Sequence, residues 1–171
     1  MNEGEKPGFS AQFILEGDHP DLATLKKAMV EVAKGQWGDK AETVLKQLQG
    51  QDRVFLRRGD EKIDGDGNVM DGYAGNRYLT ARSYVRPTIV DRDKSPLSEN
   101  DGKPYSGCYV NAYLAIWAQQ HPKYGKRINA QLQGVQFARD GDAFGAGKSA
   151  SPDVFDSLAD EYSDFDDDDL V

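Results

Sequence analysis

Apolar and polar residues alternate through "FSAQFIL" (9–15), and a strand is predicted there. The period then lengthens. Leu22, Leu25, Met29, Val32 and Ala33 recur near a 3.6-residue spacing, which predicts an amphipathic helix beginning around Asp21. A second, shorter helix is predicted over "DKAETVLKQLQ" (39–49), stopped by Gly50. Strand-like segments follow: "RVFLRR" (53–58), "RYLTARSYV" (77–85) broken by Pro87, "PYSGCYVNAYLAIWAQ" (104–119) and "RINAQLQGVQFAR" (127–139). A glycine-rich loop separates the first two of these, and Gly134 marks a bulge in the last. One strand, two helices and then a run of strands make an α+β chain, mainly β, with a predominantly antiparallel sheet or small barrel.

The long strand has two unlike faces. Its even positions, Cys108, Val110, Ala112, Leu114, Ile116 and Ala118, suit a core. Its odd positions carry Tyr105, Tyr109, Tyr113 and Trp117, because successive side chains point to opposite sides of a strand. The strand at 77–85 repeats the design, with Leu79, Ala81 and Val85 on one side and Tyr78, Arg82, Tyr84 and Arg86 on the other. Rings interleaved with arginines make a stacking platform with a phosphate-neutralising rim. Every base has a π-face, so stacking contributes about 1–3 kcal/mol per base whatever the sequence. Tyr78, Tyr84, Tyr105, Tyr109, Tyr113 and Trp117 are therefore the stacking candidates. Arg77, Arg82, Arg86, Lys103, Lys126 and Arg127 are the phosphate candidates. Aromatic residues are also strong strand formers, and two helices need a surface to cover, so part of this set is expected in the core.

Charge adds a second feature. The net charge is −8, yet from Asp153 onward nine acidic residues stand without a Lys or Arg, leaving 20 of the 29 acids against 21 basic residues before them. The chain is thus a near-neutral body over 1–150 and an acidic tail over 151–171, whose polar composition predicts disorder. Carboxylates at this density imitate nucleic-acid phosphates and compete for a cationic groove. Once displaced, the end of the tail (Phe165, Asp166, Asp167, Asp168, Asp169, Leu170 and Val171) is a hook for partner proteins. Acidic runs also serve simply as solubility tails.

Other chemistries find little material. One cysteine, Cys108, excludes a disulfide within the chain, and no apolar run approaches a membrane span or a signal peptide, which points to the cytoplasm. His19 and His121 are far apart and each precedes a proline, so neither a metal site nor a cofactor site is expected. "GDAFGAGKS" (141–149) falls short of a phosphate-binding loop because Asp142 stands where the pattern needs glycine. "DGDGNVMDGYAG" (64–75) falls short of a calcium loop, with Val69 and Gly75 at the positions that need Gly and Glu. Two rivals stay open: a metal-dependent nuclease using clustered aspartates, and an interaction protein whose tail mimics DNA.

"YSGCYVNAYLAIWAQ", "YGKRINAQLQGVQFARDGDAFG" and the acidic terminus together resemble the phage-encoded single-stranded DNA-binding proteins. The likeness continues upstream through "AKGQWGDKA", "LRRGDEK", "GYAGNRYLTA" and "RPTIVDRD", in order and with matching spacing. It implies an OB-fold, a five-stranded barrel with two inserted helices, and non-enzymatic, sequence-independent binding of single-stranded DNA. It further implies work in phage DNA replication or recombination inside the bacterial host cell, with replication or recombination proteins recruited by the tail. Members of that family begin with a basic strand that has no counterpart ahead of "KPGFSAQFIL" here. The barrel is therefore expected to lack its first strand and expose an edge, with three explanations open: the chain is a fragment, it starts late, or it borrows a strand from a second copy in a homodimer.

Overall fold

The structure, a computed structural model, describes residues 8–144. The acidic tail and the proposed boundary at 150 lie outside those residues. Strand β1 (Phe9–Leu15) is followed by helix α1 (Asp21–Trp37), a 3-10 turn and helix α2 (Ala41–Gly50). Short β2 (Leu56–Arg58), β3 (Arg77–Ser83), short β4 (Thr88–Val90), β5 (Tyr109–His121) and β6 (Gly125–Arg139) complete it. Helix α1 stops where Gly38 turns to φ 55°, a left-handed value that a side chain resists. Among the described residues no helix is long and apolar enough to cross a membrane.

All six strands form one open sheet. β1 and β2 run antiparallel to β3, and β5 runs antiparallel to β6. Two junctions are parallel: β3 meets β6 at Ala81–Ala130 and Arg82–Gln131, and β4 meets β6 over Thr88–Gly134 to Val90–Gln136. The antiparallel five-stranded barrel expected from sequence is thus realised as an open, mainly antiparallel sheet with one added short strand, β4. β4 escaped the sequence pattern because three residues after Pro87 are too few to show a period. β5 starts at Tyr109 rather than Pro104, since Gly107 at φ 104° turns the chain just before it.

The core lies between one face of this sheet and the two helices. Leu79 and Ala81 of β3 and Ile128, Ala130, Leu132 and Val135 of β6 join Met29, Ala33, Ala41, Val44 and Leu48 of the helices. Val110, Leu114, Ile116 and Ala118 of β5 pack against this cluster, half-buried because β5 is paired on one side only. Trp37 at the end of α1 donates its indole N–H to Gln120 Oε1 at 2.8 Å, tying the helix to β5. The helices therefore cover the aliphatic face. Opposite them, the described residues leave the other face uncovered along β5.

In β6 the inward set changes from even positions (Ile128, Ala130, Leu132) to odd ones (Val135, Phe137). The register shift opposite Tyr113 and Leu114, where Gln133 is the extra residue, produces this change. A bulge there keeps the apolar side of a long, bent strand on the core despite its curvature.

Candidate nucleic-acid interface

Tyr109, Tyr113 and Trp117 lie at four-residue intervals on the uncovered face of β5, so about 13 Å separates neighbouring attachment points. Tyr113 is 73% and Trp117 45% exposed. The pairing register sets Trp117 beside Asn129, Ala115 beside Gln131 and Gln119 beside Arg127. Because β3 joins β6 at Arg82–Gln131, Arg82 shares this face. At the far end, the Arg139 guanidinium lies 3.6 Å from the centroid of the Tyr109 ring. A row of rings is thus bordered by guanidinium groups, three of them from different parts of two neighbouring strands. Such a surface stacks planar aromatic groups and neutralises anions beside them.

Twelve residues were expected to form such a surface from sequence, and five share it: Arg82, Tyr109, Tyr113, Trp117 and Arg127. Tyr84 and Arg86 follow the end of β3, both exposed, with Tyr84 78% accessible. Arg86 and Lys103 instead flank a cleft of about 380 Å³ with Ile89, Leu97 and Pro104.

The remaining five are corrected by the structure. Tyr78 does occupy the right side of β3, but the 59–76 loop covers it and leaves 3% exposed. Its ring meets Tyr73 edge-on at 5.3 Å, and Tyr73 in turn donates its hydroxyl to Gln12 Oε1. Tyr105 precedes β5, so the strand's alternation does not reach it. Its hydroxyl donates to Asp140 at 2.7 Å and accepts from the Gly141 amide at 3.2 Å, clamping the end of β6. That bond to the carboxylate raises the phenol's pKa above its ordinary value. A side chain on Gly107 in this clamp would overlap the Asp142 carbonyl. Arg77 sits at an odd position of β3 and shares the side of Leu79 and Ala81. Lys103 places its ammonium 4.7 Å from the ring of buried Phe137, and Lys126 leans 5.9 Å from the ring of Trp37. Lys126 therefore serves the helix-bearing side of the sheet, and Lys103 the end of β6, on the face away from the ring row.

Arg139 was missed from the sequence. Two register shifts lie between the β5–β6 turn and the Tyr109–Arg139 pair, and only the pairing brings these residues together. The tail residues Phe165 to Val171 lie outside the described residues. Two of the loop aspartates are spent on backbone: Asp60 accepts from the Gly75 amide, and Asp64 accepts from the amides of Asp66 and Asn68. No group of three or more His, Cys, Asp or Glu side chains that could hold a metal ion occurs among the described residues.

Comparison with known proteins gives the surface its context. The family described as Enterobacter phage Enc34, ssDNA-binding protein matches residues 1–170. Protein p50 of Acyrthosiphon pisum secondary endosymbiont phage 1 is 41% identical over 153 residues, covering 88% of this chain and 79% of that protein. The C-terminally truncated single-stranded DNA-binding protein from bacteriophage Enc34 superposes with a TM-score of 0.65 at 26% identity, covering 84% and 76% of the two chains. The Enc34 protein in complex with ssDNA gives 0.60 at 25% identity, covering 84% and 78%. With the match running across essentially its whole length, the chain belongs to the family of the Enterobacter phage Enc34 single-stranded DNA-binding protein.

Proposed function

We propose that this chain binds single-stranded DNA without regard to sequence, as a non-catalytic protein of phage DNA replication or recombination working in the cytoplasm of the bacterial host. The observation that carries this is the exposed row of Tyr109, Tyr113 and Trp117, turned away from the helices and bordered by Arg82, Arg127 and Arg139. Bases stack on the rings while guanidinium groups take phosphates and release counterions, and unstacked bases are held away from a complementary strand. Family membership supports the same ligand.

A salt titration with oligo-dT tests it. Each phosphate neutralised on a single strand adds about 0.7 to the slope of log affinity against log salt. Affinity is therefore expected to fall by roughly tenfold or more between about 0.05 and 0.2 M salt, with quenching of tryptophan fluorescence on binding. Flat salt dependence would exclude an ionic groove. Cleavage of the oligonucleotide with Mg²⁺ or Mn²⁺ would favour a nuclease instead. Absence of DNA binding together with self-association through the tyrosine face would favour a DNA mimic.

The acidic tail is the groove's own competitor and the hook for replication or recombination proteins. Deleting residues 153–171, which removes nine acidic groups and no basic one, is expected to tighten oligo-dT binding several-fold at low salt and to abolish partner recruitment. Unchanged affinity after deletion would end the competitor role. Homodimerisation belongs to the same proposal. Among the described residues β1 pairs only with β3 and β5 only with β6, leaving two edges for a second copy, and sedimentation over a range of concentrations tests it.

A further inference from the structure

A second feature lies beyond the rings on the same face. Arg57 of β2 pairs with Tyr78, two residues apart from Thr80 and four from Arg82 on β3, so Arg57 and Arg82 project to one side. Arg127 is four residues from Gln131, the partner of Arg82, on a stretch of β6 without a bulge, and it projects there too. Arg53 arrives beside them through the bridge of Val54 to Ile128. Its guanidinium is already committed, donating to the Lys126 carbonyl at 2.8 Å and to the Tyr124 carbonyl, so it braces the β5–β6 turn.

Four positive charges thus share a small area. Burial, and then the charges of Arg53, Arg82 and Arg57, lower the pKa of Arg127 from its ordinary value. Among the described residues one carboxylate is within ion-pair distance of any of the four: Asp52, whose Oδ2 lies 3.0 Å from a terminal nitrogen of Arg57. The Nε of Arg57 is buried and makes no hydrogen bond among the described residues. Like charges gathered with one counter-charge and an unpaired donor weaken the free fold. An anion offsets that cost. The area also adjoins the ring row, since Arg127 faces Gln119 and Arg82 is one strand beyond the partner of Ala115.

We propose that Arg57, Arg82 and Arg127 form a phosphate-binding strip that leads the DNA backbone from the β5 rings across β6 to β3 and β2, and that Asp52 holds Arg57 as a carboxylate stand-in until a phosphate replaces it. This rests on the single-stranded DNA-binding function proposed above. It adds a path across the strands, a contact residue on β2 and a built-in competitor distinct from the acidic tail.

Anisotropy of a fluorescent oligo-dT, titrated with the full chain at several salt concentrations, tests the strip. Arg57→Gln is expected to weaken binding several-fold and to reduce the salt slope by about 0.7, the share of one phosphate. Asp52→Asn is expected to tighten binding several-fold at low salt. Asp52 has φ 55°, a conformation asparagine accepts, so this variant keeps the turn even where Arg57→Gln disturbs it. In the Arg57→Gln background the gain from Asp52→Asn should vanish, because the group that Asp52 occupies is gone. Lys27→Gln, on the exposed side of α1, serves as a control that leaves affinity unchanged. Binding by the wild-type chain with no response to Asp52→Asn or Arg57→Gln would overturn the strip alone. Failure of the wild-type chain to bind oligo-dT would overturn both proposals.

Discussion

Replacing Tyr113 and Trp117 together by alanine should lower affinity for oligo-dT by about 30-fold or more, taking about 1–3 kcal/mol for each stacked ring. The expected loss comes without a loss of stability. Tyr113 is 73% and Trp117 45% exposed, so truncation removes little packing and leaves no sealed cavity. Trp37, tied to Gln120 on the helix side, remains as an internal fluorescence reference in the double variant. Tyr78→Ala makes the contrasting case. Its ring is 3% exposed and packed edge-on to Tyr73, so the change should lower the melting temperature while sparing the ring row. Anisotropy titrations paired with thermal melts separate the outcomes. Wild-type affinity in the Tyr113→Ala, Trp117→Ala protein would remove β5 from the binding surface.

Ile128→Ala is expected to have the largest effect on stability, about 2–5 kcal/mol out of the roughly 5–15 kcal/mol typical of a domain. Ile128 is 1% exposed and sits where β6 meets the bridge from Val54 and the cluster formed by both helices. Neighbours on the sheet and on the helices hold one another in place, so the space left by the removed carbons closes poorly. The melting temperature should fall by roughly 10 °C. Below the new midpoint, oligo-dT affinity should stay close to wild type, because Ile128 points away from the rings. A shift of less than about 1 kcal/mol in urea unfolding would mean that the core lies elsewhere.

Local periodicity carried much of the architecture. The 3.6-residue spacing placed α1 from Asp21, and two-residue alternation placed β1, β3, β5 and β6 within a few residues of their ends. It also separated the aliphatic side of β5 from the side bearing Tyr109, Tyr113 and Trp117. What alternation does not state is which side is covered. Both sides of β5 are hydrophobic enough to accept a helix, and the choice fell to Met29, Ala33, Val44 and Leu48 finding β3 and β6 on the aliphatic side.

Long-range pairing decided the rest. Tyr78 obeys the same alternation as Arg82, yet a loop closing over it from 59–76 makes one a core residue and leaves the other exposed. Arg139 reached Tyr109 through two register shifts, and Arg57 reached the side of Arg82 through the pairing of β2 with β3. From the sequence alone came the presence of a two-faced strand, an amphipathic helix to cover one face and a charge-segregated tail. Only the tertiary structure chose which rings and which guanidinium groups meet, because a side chain's neighbours across a sheet are set by chain segments tens of residues away, whereas periodicity reports on nothing beyond its own turn or pleat.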